Sequence, residues 1–268
     1  MRVFTTLPQE DLRKVGPAAR AIEATGYTGV STQENKHDPF LALAVAGVAT
    51  NRIELHTGVA ISFPRSPMVA ANIGWDLAAS TGGRFTLGLG SQIRAHNEKR
   101  FSVPWTAPAP RMREYIQAVR AIWAAWKGDG KLSYEGKHYR FTLMTPNFVP
   151  EAYDGPTPRI GLAAVGPYML KVAAEESDGA KLHVFCTRKY LENKVMPILS
   201  EGWPRQAGRG RSSRSRAAAS SSPARMTKPS PSCSTGCAIA WPSTVRRRPT
   251  GRCSRNTGWA ISAASSMP

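Results

Sequence analysis

No acidic residue occurs between Gly202 and Pro268, a stretch that holds twelve Lys and Arg. That absence divides the chain. Residues 1–201 carry 24 basic and 18 acidic residues, a net of +6, so most of the overall +18 sits in the last quarter. Histidine is scarce. His37, His56, His96, His138 and His183 are the only five, and no two stand at helical metal-ligand spacing beside an acid, which speaks against metal catalysis. Of four cysteines, Cys186 is alone in the first part, and Cys233, Cys237 and Cys253 lie in the tail with no His after them. A zinc site is therefore not supported. No run approaches the roughly 18 apolar residues of a membrane span. The start "MRVFTTLPQEDLRK" turns acidic before any apolar core forms, which predicts no secretory signal and a reduced, cytoplasmic setting. The chain also lacks the Lys-Ser/Thr pair of a phosphate loop and the glycine spacing of a dinucleotide fold.

What is present is an alternation of strand and helix. "MRVFTTL", "YTGVST", "RIELHTGVAIS" and "RFTLGLG" read as strands. Between them lie helical stretches at Glu10–Thr25, at "PFLALAVAGVAT" and at "SPMVAANIGWDLAAST". In the first helix, Leu12, Val15, Ala19 and Ile22 are spaced to share one side. Gly26 stops that helix, and Gly82-Gly83 stops the third. A long polar connection follows over 91–110, of a length that often serves a lid or a site. "RMREYIQAVRAIWAAWKG" is strongly amphipathic, with Met112, Tyr115, Ile116, Val119, Ile122, Trp123 and Trp126 on its apolar side. A hairpin around Glu135-Gly136 interrupts the rhythm, which resumes with "PRIGLAAVG", "PYMLKVAAEESDG" and "AKLHVF". Short βα units of this kind imply a parallel sheet or barrel. Arg84 reads as the anchor of a turn through a salt bridge. Two units follow from composition: an ordered domain over 1–201, and a basic low-complexity tail over 202–268.

The tail admits two readings. "GRGRSSRSRAAASSSP" resembles a disordered basic arm, whose charge would give weak, salt-sensitive, non-specific attraction to nucleic acid. It has neither the interleaved aromatics of a single-strand binder nor a recognition helix. The same Arg, Ala, Pro, Gly and Ser also arise when a GC-rich gene is translated out of phase. Read from the third base of each codon, residues 241–263 permit a stretch with acidic and aromatic residues. The expectation is a change of phase near Gly202, which leaves the barrel incomplete and the chain poorly folded or inactive.

"TGVAISFPRSPMVAANIGWDLAASTGGRFTLGLGSQIRAHNEKRF" resembles the luciferase-like monooxygenase superfamily, on its side that uses the deazaflavin coenzyme F420. "ENKHDPFLALA", "PRMREYIQAVRAIW", "YEGKHYRFTLMTPNF" and "GLAAVGPYMLKVAAEESDG" extend the resemblance over residues 1–201. It implies a (β/α)8 TIM barrel of the bacterial-luciferase-like type, incomplete at its C-terminus, with the site at the C-terminal strand ends. It implies hydride transfer between F420 and a small organic substrate, the protein supplying orientation, a dry site and a proton. Since reduced F420 does not readily activate oxygen, "monooxygenase" would then be only a family label. The alternative cofactor is FMN, in a true flavin monooxygenase. A different class of reading is a non-catalytic basic protein. Carried-over cofactor positions are Gly58, Val59 and Ala60 as a backing surface, often with a non-proline cis peptide. Gly90, Ser91 and Gln92 would border the ring, and Ala163, Ala164, Val165 and Gly166 would hold a phosphate at a helix N-terminus. Glu34, His37 and His96 are the candidate catalytic residues. The partners expected are a small-molecule substrate and room for a homodimer, with no metal, no membrane and no sequence-specific nucleic acid.

Overall fold

The computed structural model describes residues 2–209, with side chains through residue 202. The expectations for 210–268, including most of the basic tail, fall outside the described residues. The elements run β1 (Phe4–Thr6), α1 (Leu12–Thr25), β2 (Gly29–Thr32), α2 (Pro39–Ala49), β3 (Glu54–Thr57), β4 (Ala60–Ile61), α3 (Pro67–Ser80) and β5 (Phe85–Gly90). Then come α4 (Arg94–Lys99), α5 (Pro108–Trp126), β6 (Tyr134–Glu135), β7 (Arg140–Phe141), β8 (Arg159–Ala163), α6 (Pro167–Glu176) and β9 (Gly179–Lys181). α7 (Arg188–Tyr190) passes through a π turn (Leu191–Val195) into α8 (Met196–Arg209). α8 thus crosses the boundary between residues 201 and 202 drawn from composition.

The main strands are all parallel, in the order β1-β2-β3-β5-β8-β9, with the short β4 also paired to β5. The sheet curls without closing: among the described residues β9 and β1 remain its two edges. This open, curled parallel sheet resembles an incomplete form of the expected barrel. β6 and β7 form a separate antiparallel hairpin, as the sequence predicts.

The register separates two faces. Leu55 lies opposite Phe85, and Leu87 opposite Ile160, so these residues and Leu89 and Leu162 share the face toward the helices. All six are 0–1% exposed. The apolar side read for α5 packs there: all seven of its residues are buried, and Trp123 Nε1 donates to the Ala71 carbonyl of α3 at 3.0 Å. Burying a large aromatic side chain while keeping its N–H satisfied makes this a strong joint between helices. Leu12, expected on the apolar side of α1, is 42% exposed, because it sits in the first turn, beyond the reach of the sheet.

Helix ends follow their local chemistry. Asp11, Asp38 and Ser66 cap α1, α2 and α3 by accepting from backbone N–H groups in the first turn. Gly26 ends α1 with φ 91°, a conformation that costs other residues more. Arg84 differs from expectation. Its guanidinium donates to the carbonyls of Gly47, Thr50, Ile53 and Thr81 rather than to a carboxylate. The end of α2 leaves carbonyls without intrahelical partners, and a five-donor fork satisfies several at once.

Candidate functional site

The strands' C-terminal ends converge at the mouth of the arc. Residues facing inward follow from the register: Ser31, His56, Thr86, Gly88, Arg159, Gly161, Ala163 and Lys181. Several are glycines, and the backbone crowds some of them. A side chain on Gly88 would collide with the Thr57 carbonyl, and a Cβ on Gly90 would lie 2.6 Å from Val59 Cγ2. These positions are glycine because neighbouring chain already fills the space a side chain would need, so the wall is built of closely packed backbone.

β3 and β4 are one predicted strand divided at the Gly58-Val59 peptide, which is cis. Hydrogen bonds fix this segment from several sides. Gly58 N–H donates to the Thr32 carbonyl at 2.6 Å, Glu34 N–H to the Val59 carbonyl at 3.3 Å, and Ser62 N–H to the Gly90 carbonyl at 2.9 Å. Ala60 lies in register with Leu89, and Ile61 with Gly90. Gly58, Val59 and Gly90 meet at the inner wall, whereas Ala60, in register with Leu89, turns toward the helices and packs in the core.

Glu34 supports that wall. Its carboxylate accepts from the Ile61 N–H at 2.7 Å and from Arg65 Nη1 at 2.7 and 2.9 Å, and the side chain is only 8% exposed. Arg65 Nη2 reaches Asp38 at 3.0 Å. Burial opposes the Arg65 charge, but Glu34 and Asp38 outweigh it and hold the guanidinium's pKa up. With both oxygens engaged, Glu34 is geometrically a brace for the 58–61 backbone.

His37 and His96 are exposed, His37 in the loop before α2 and His96 on α4. The two segments are tied together by Arg100, at the end of α4, whose Nη2 donates to the Asn35 carbonyl at 2.5 Å. Ser91 and Gln92 follow β5 directly. The Ser91 carbonyl accepts from Asn97 Nδ2 at 2.9 Å, and Gln92 has φ 57°, an uncommon conformation for a side-chain-bearing residue. Backbone of that kind concentrates at functional sites. The "GLAAVGP" stretch closes β8 and opens α6, with Gly166 at the N-cap. The Ala164 N–H is given to the Lys181 carbonyl at 3.0 Å, while Val165 and Gly166 stand exposed at the head of the helix.

Sequence reasoning passed over Arg65 and Lys181. The Lys181 ammonium crosses the mouth from β9 to the Gly58 carbonyl at 2.7 Å. Crowding by surrounding protein lowers its pKa from the ordinary lysine value. The signal for Lys181 was available: a lone cation two residues after Gly179 in a strand whose other face is apolar.

At the opposite end of the arc, Glu54 meets His56 at 3.2 Å and Arg159 at 3.3 Å, and also pairs with Arg2. Burial would raise the Glu54 pKa, but the His56 hydrogen bond and the two arginines hold it below the usual glutamate value. Burial lowers the His56 pKa, and Glu54 offsets only part of that. Among the described residues no group of His, Cys, Asp and Glu is arranged to hold a metal ion, and no helix is long and apolar enough to cross a membrane.

A family model described as luciferase-like monooxygenase matches residues 2–228. The match runs past the 201/202 boundary. The Mycobacterium tuberculosis protein Rv1360 is 47% identical over 212 residues, which cover 79% of this chain and 62% of that protein. The chain thus spans about three fifths of the length of this relative. Among solved structures, the monooxygenase RslO1 from Streptomyces bottropensis superimposes with a TM-score of 0.65 at 22% identity, covering 77% of this chain and 67% of that one. The coenzyme F420-dependent tetrahydromethanopterin reductase from Methanopyrus kandleri gives 0.63 at 23%, covering 77% and 62%. At these identities the two structures show a shared fold.

Proposed function

Because the chain belongs to the luciferase-like monooxygenase family, we propose that it is a redox protein whose inner wall at the strand ends holds a flavin-type cofactor and works on a small organic substrate. The observation that carries this reading is the wall itself: Gly58, Val59 and Gly90 pack closely at the strand ends, where backbone rather than long side chains of their own would face a flat ring. The residues present fit such a group. Gly88 and Gly90, packed against Thr57 and Val59, add no side chain of their own, Ser91 and Gln92 border the ring, and Ala163, Ala164, Val165 and Gly166 lie at the head of α6, where a helix N-terminus favours a phosphate. When bound, the cofactor supplies the hydride chemistry.

The chain's own residues orient and enclose. Glu34 and Arg65 hold the 58–61 backbone in place. His37, in the loop before α2, and His96, on α4, are the exposed groups available to give or take a proton near the mouth, while Glu34 is occupied by Arg65 and the Ile61 N–H.

FMN and F420 both suit this wall. Solved structures of this fold include a Baeyer-Villiger monooxygenase in complex with FMN and a coenzyme F420-dependent reductase, so both cofactors are candidates. Titrating the full chain with each cofactor, followed by ring absorbance, separates them. Saturable spectral change with one identifies the cofactor, and no change with either overturns the reading. The compositional break after residue 201 still supports the proposal that the tail is translated out of phase, although α8 and the family match both continue beyond Gly202. Sequencing the gene across the Gly202 codon tests it. A reading in phase throughout would refute it.

A further inference from the structure

Lys181 is the inward-facing residue at the end of edge strand β9, in register with Ala163. β9 and β3 are separated in the sheet by β5 and β8, yet the Lys181 ammonium reaches the Gly58 carbonyl at 2.7 Å. The side chain therefore spans the mouth of the arc and ends on the wall assigned to the ring. A Cβ on Gly58 would run into Nζ, so the ammonium lies directly over that glycine. An ammonium carries three donors, and the Gly58 carbonyl takes one.

The electrostatic setting is asymmetric. Arg65 faces Glu34 and Asp38, Arg113 faces Glu175 and Glu176, and Arg159 faces Glu54. Lys181 is instead held by a neutral carbonyl, and the crowding that lowers its pKa acts without an opposing carboxylate. Lys181 is an exposed residue with a neutral carbonyl as its partner, so the other donors of its ammonium are open to a ligand at the mouth. A negatively charged or electron-rich group at the mouth would supply the missing partner.

We propose that Lys181 binds the electron-rich, oxygen-bearing edge of the flavin-type ring and favours its reduced, anionic form, with the Gly58 carbonyl as its resting partner. This rests on the flavin reading above. It adds the chemical form of the ligand that the wall selects: FMN is neutral at the ring's pyrimidine edge when oxidised and carries a negative charge there when reduced and deprotonated. A cation at this place stabilises the second more than the first. Lys181 is thus a binding residue whose effect depends on redox state, whereas a lysine that merely propped up Gly58 would affect both forms equally.

The test is anaerobic titration of the full chain and its Lys181→Met and Lys181→Arg variants with FMN, oxidised and dithionite-reduced. Melting curves without FMN establish that all three are folded. Losing one charge-assisted hydrogen bond is expected to weaken reduced FMN about tenfold more than oxidised FMN in Lys181→Met, with Lys181→Arg recovering most of the preference. In parallel, amine acetylation read by mass spectrometry is expected to mark Lys181 in the free protein and to spare it when reduced FMN is bound. Equal weakening of both redox forms, or undiminished acetylation at saturation, overturns the role of Lys181 and leaves the flavin reading standing. If the wild-type chain binds neither form of FMN, the FMN reading fails and this inference fails with it. An unfolded Lys181→Met would shift the decision to Lys181→Gln and to the protection experiment, with the same opposing outcomes.

Discussion

Along β5, Phe85, Leu87 and Leu89 turn toward the helices, while Thr86, Gly88 and Gly90 turn inward. The same alternation divides β8 into Ile160 and Leu162 against Arg159, Gly161 and Ala163. All these β5 residues are buried, yet the two sets behave differently. The outer set fills space, in one buried core with Trp75, Ile116 and Trp123. The inner set withdraws side chains toward the mouth and carries charge at both ends, Glu54 and Arg159 at one and Lys181 at the other. The outer face thus carries the apolar core, and the inner one carries polar and charged groups.

The largest effect should come from breaking the outer face. Trp123→Ala removes a fully buried indole and its bond to Ala71, and is expected to cost about 3–5 kcal/mol in urea unfolding. A cost below about 1 kcal/mol would show that α5 is not part of the cooperative core.

A smaller effect concerns the charged end of the inner face. The folded-state pKa of His56 lies below its unfolded value, so on acidification the unfolded chain takes up the proton first and stability begins to fall near pH ~6.5. Glu54 has a depressed folded pKa, so its contribution is present above the usual glutamate range and lost as pH drops through the lower folded value. Melting temperature should therefore decline from neutral pH downward. His56→Asn is expected to flatten the first part of that decline. An unchanged slope between neutral pH and pH ~5.5 would remove His56 from the account.

The smallest effect should come from Thr86→Val. The Thr86 hydroxyl is buried on the inner face without a hydrogen-bond partner. Replacing an unsatisfied polar group by an apolar one of similar shape is expected to change stability by less than about 1 kcal/mol, in either direction. A loss of several kcal/mol would mean that the hydroxyl has a role on the inner wall.

The outer face was legible in the sequence because its residues announce themselves. The α5 stripe from Met112 to Trp126 and the apolar runs of β5 and β8 need only helical and strand periodicity to be read. The inner face was legible only where glycines cluster or where family resemblance assigned them, as at Gly58 and Gly90. Arg65 and Lys181 were not, because each gains its meaning from a partner far away in sequence: Glu34 is 31 residues from Arg65, and Gly58 is 123 from Lys181. Local pattern carries no information about such contacts. Arg84 shows the same limit, since a cation read as half of a salt bridge binds backbone carbonyls that only the folded arrangement brings to it.

The division between the two faces is tested most directly by hydrogen–deuterium exchange of the full chain with and without saturating FMN or F420. The expected result is slowed exchange confined to peptides covering residues 58–62, 90–93 and 163–167, at the inner mouth. Slowed exchange only in the groove of about 360 Å³ between α6 and α8, lined by Tyr168, Lys171 and Ile198, would contradict it, as would no change at all.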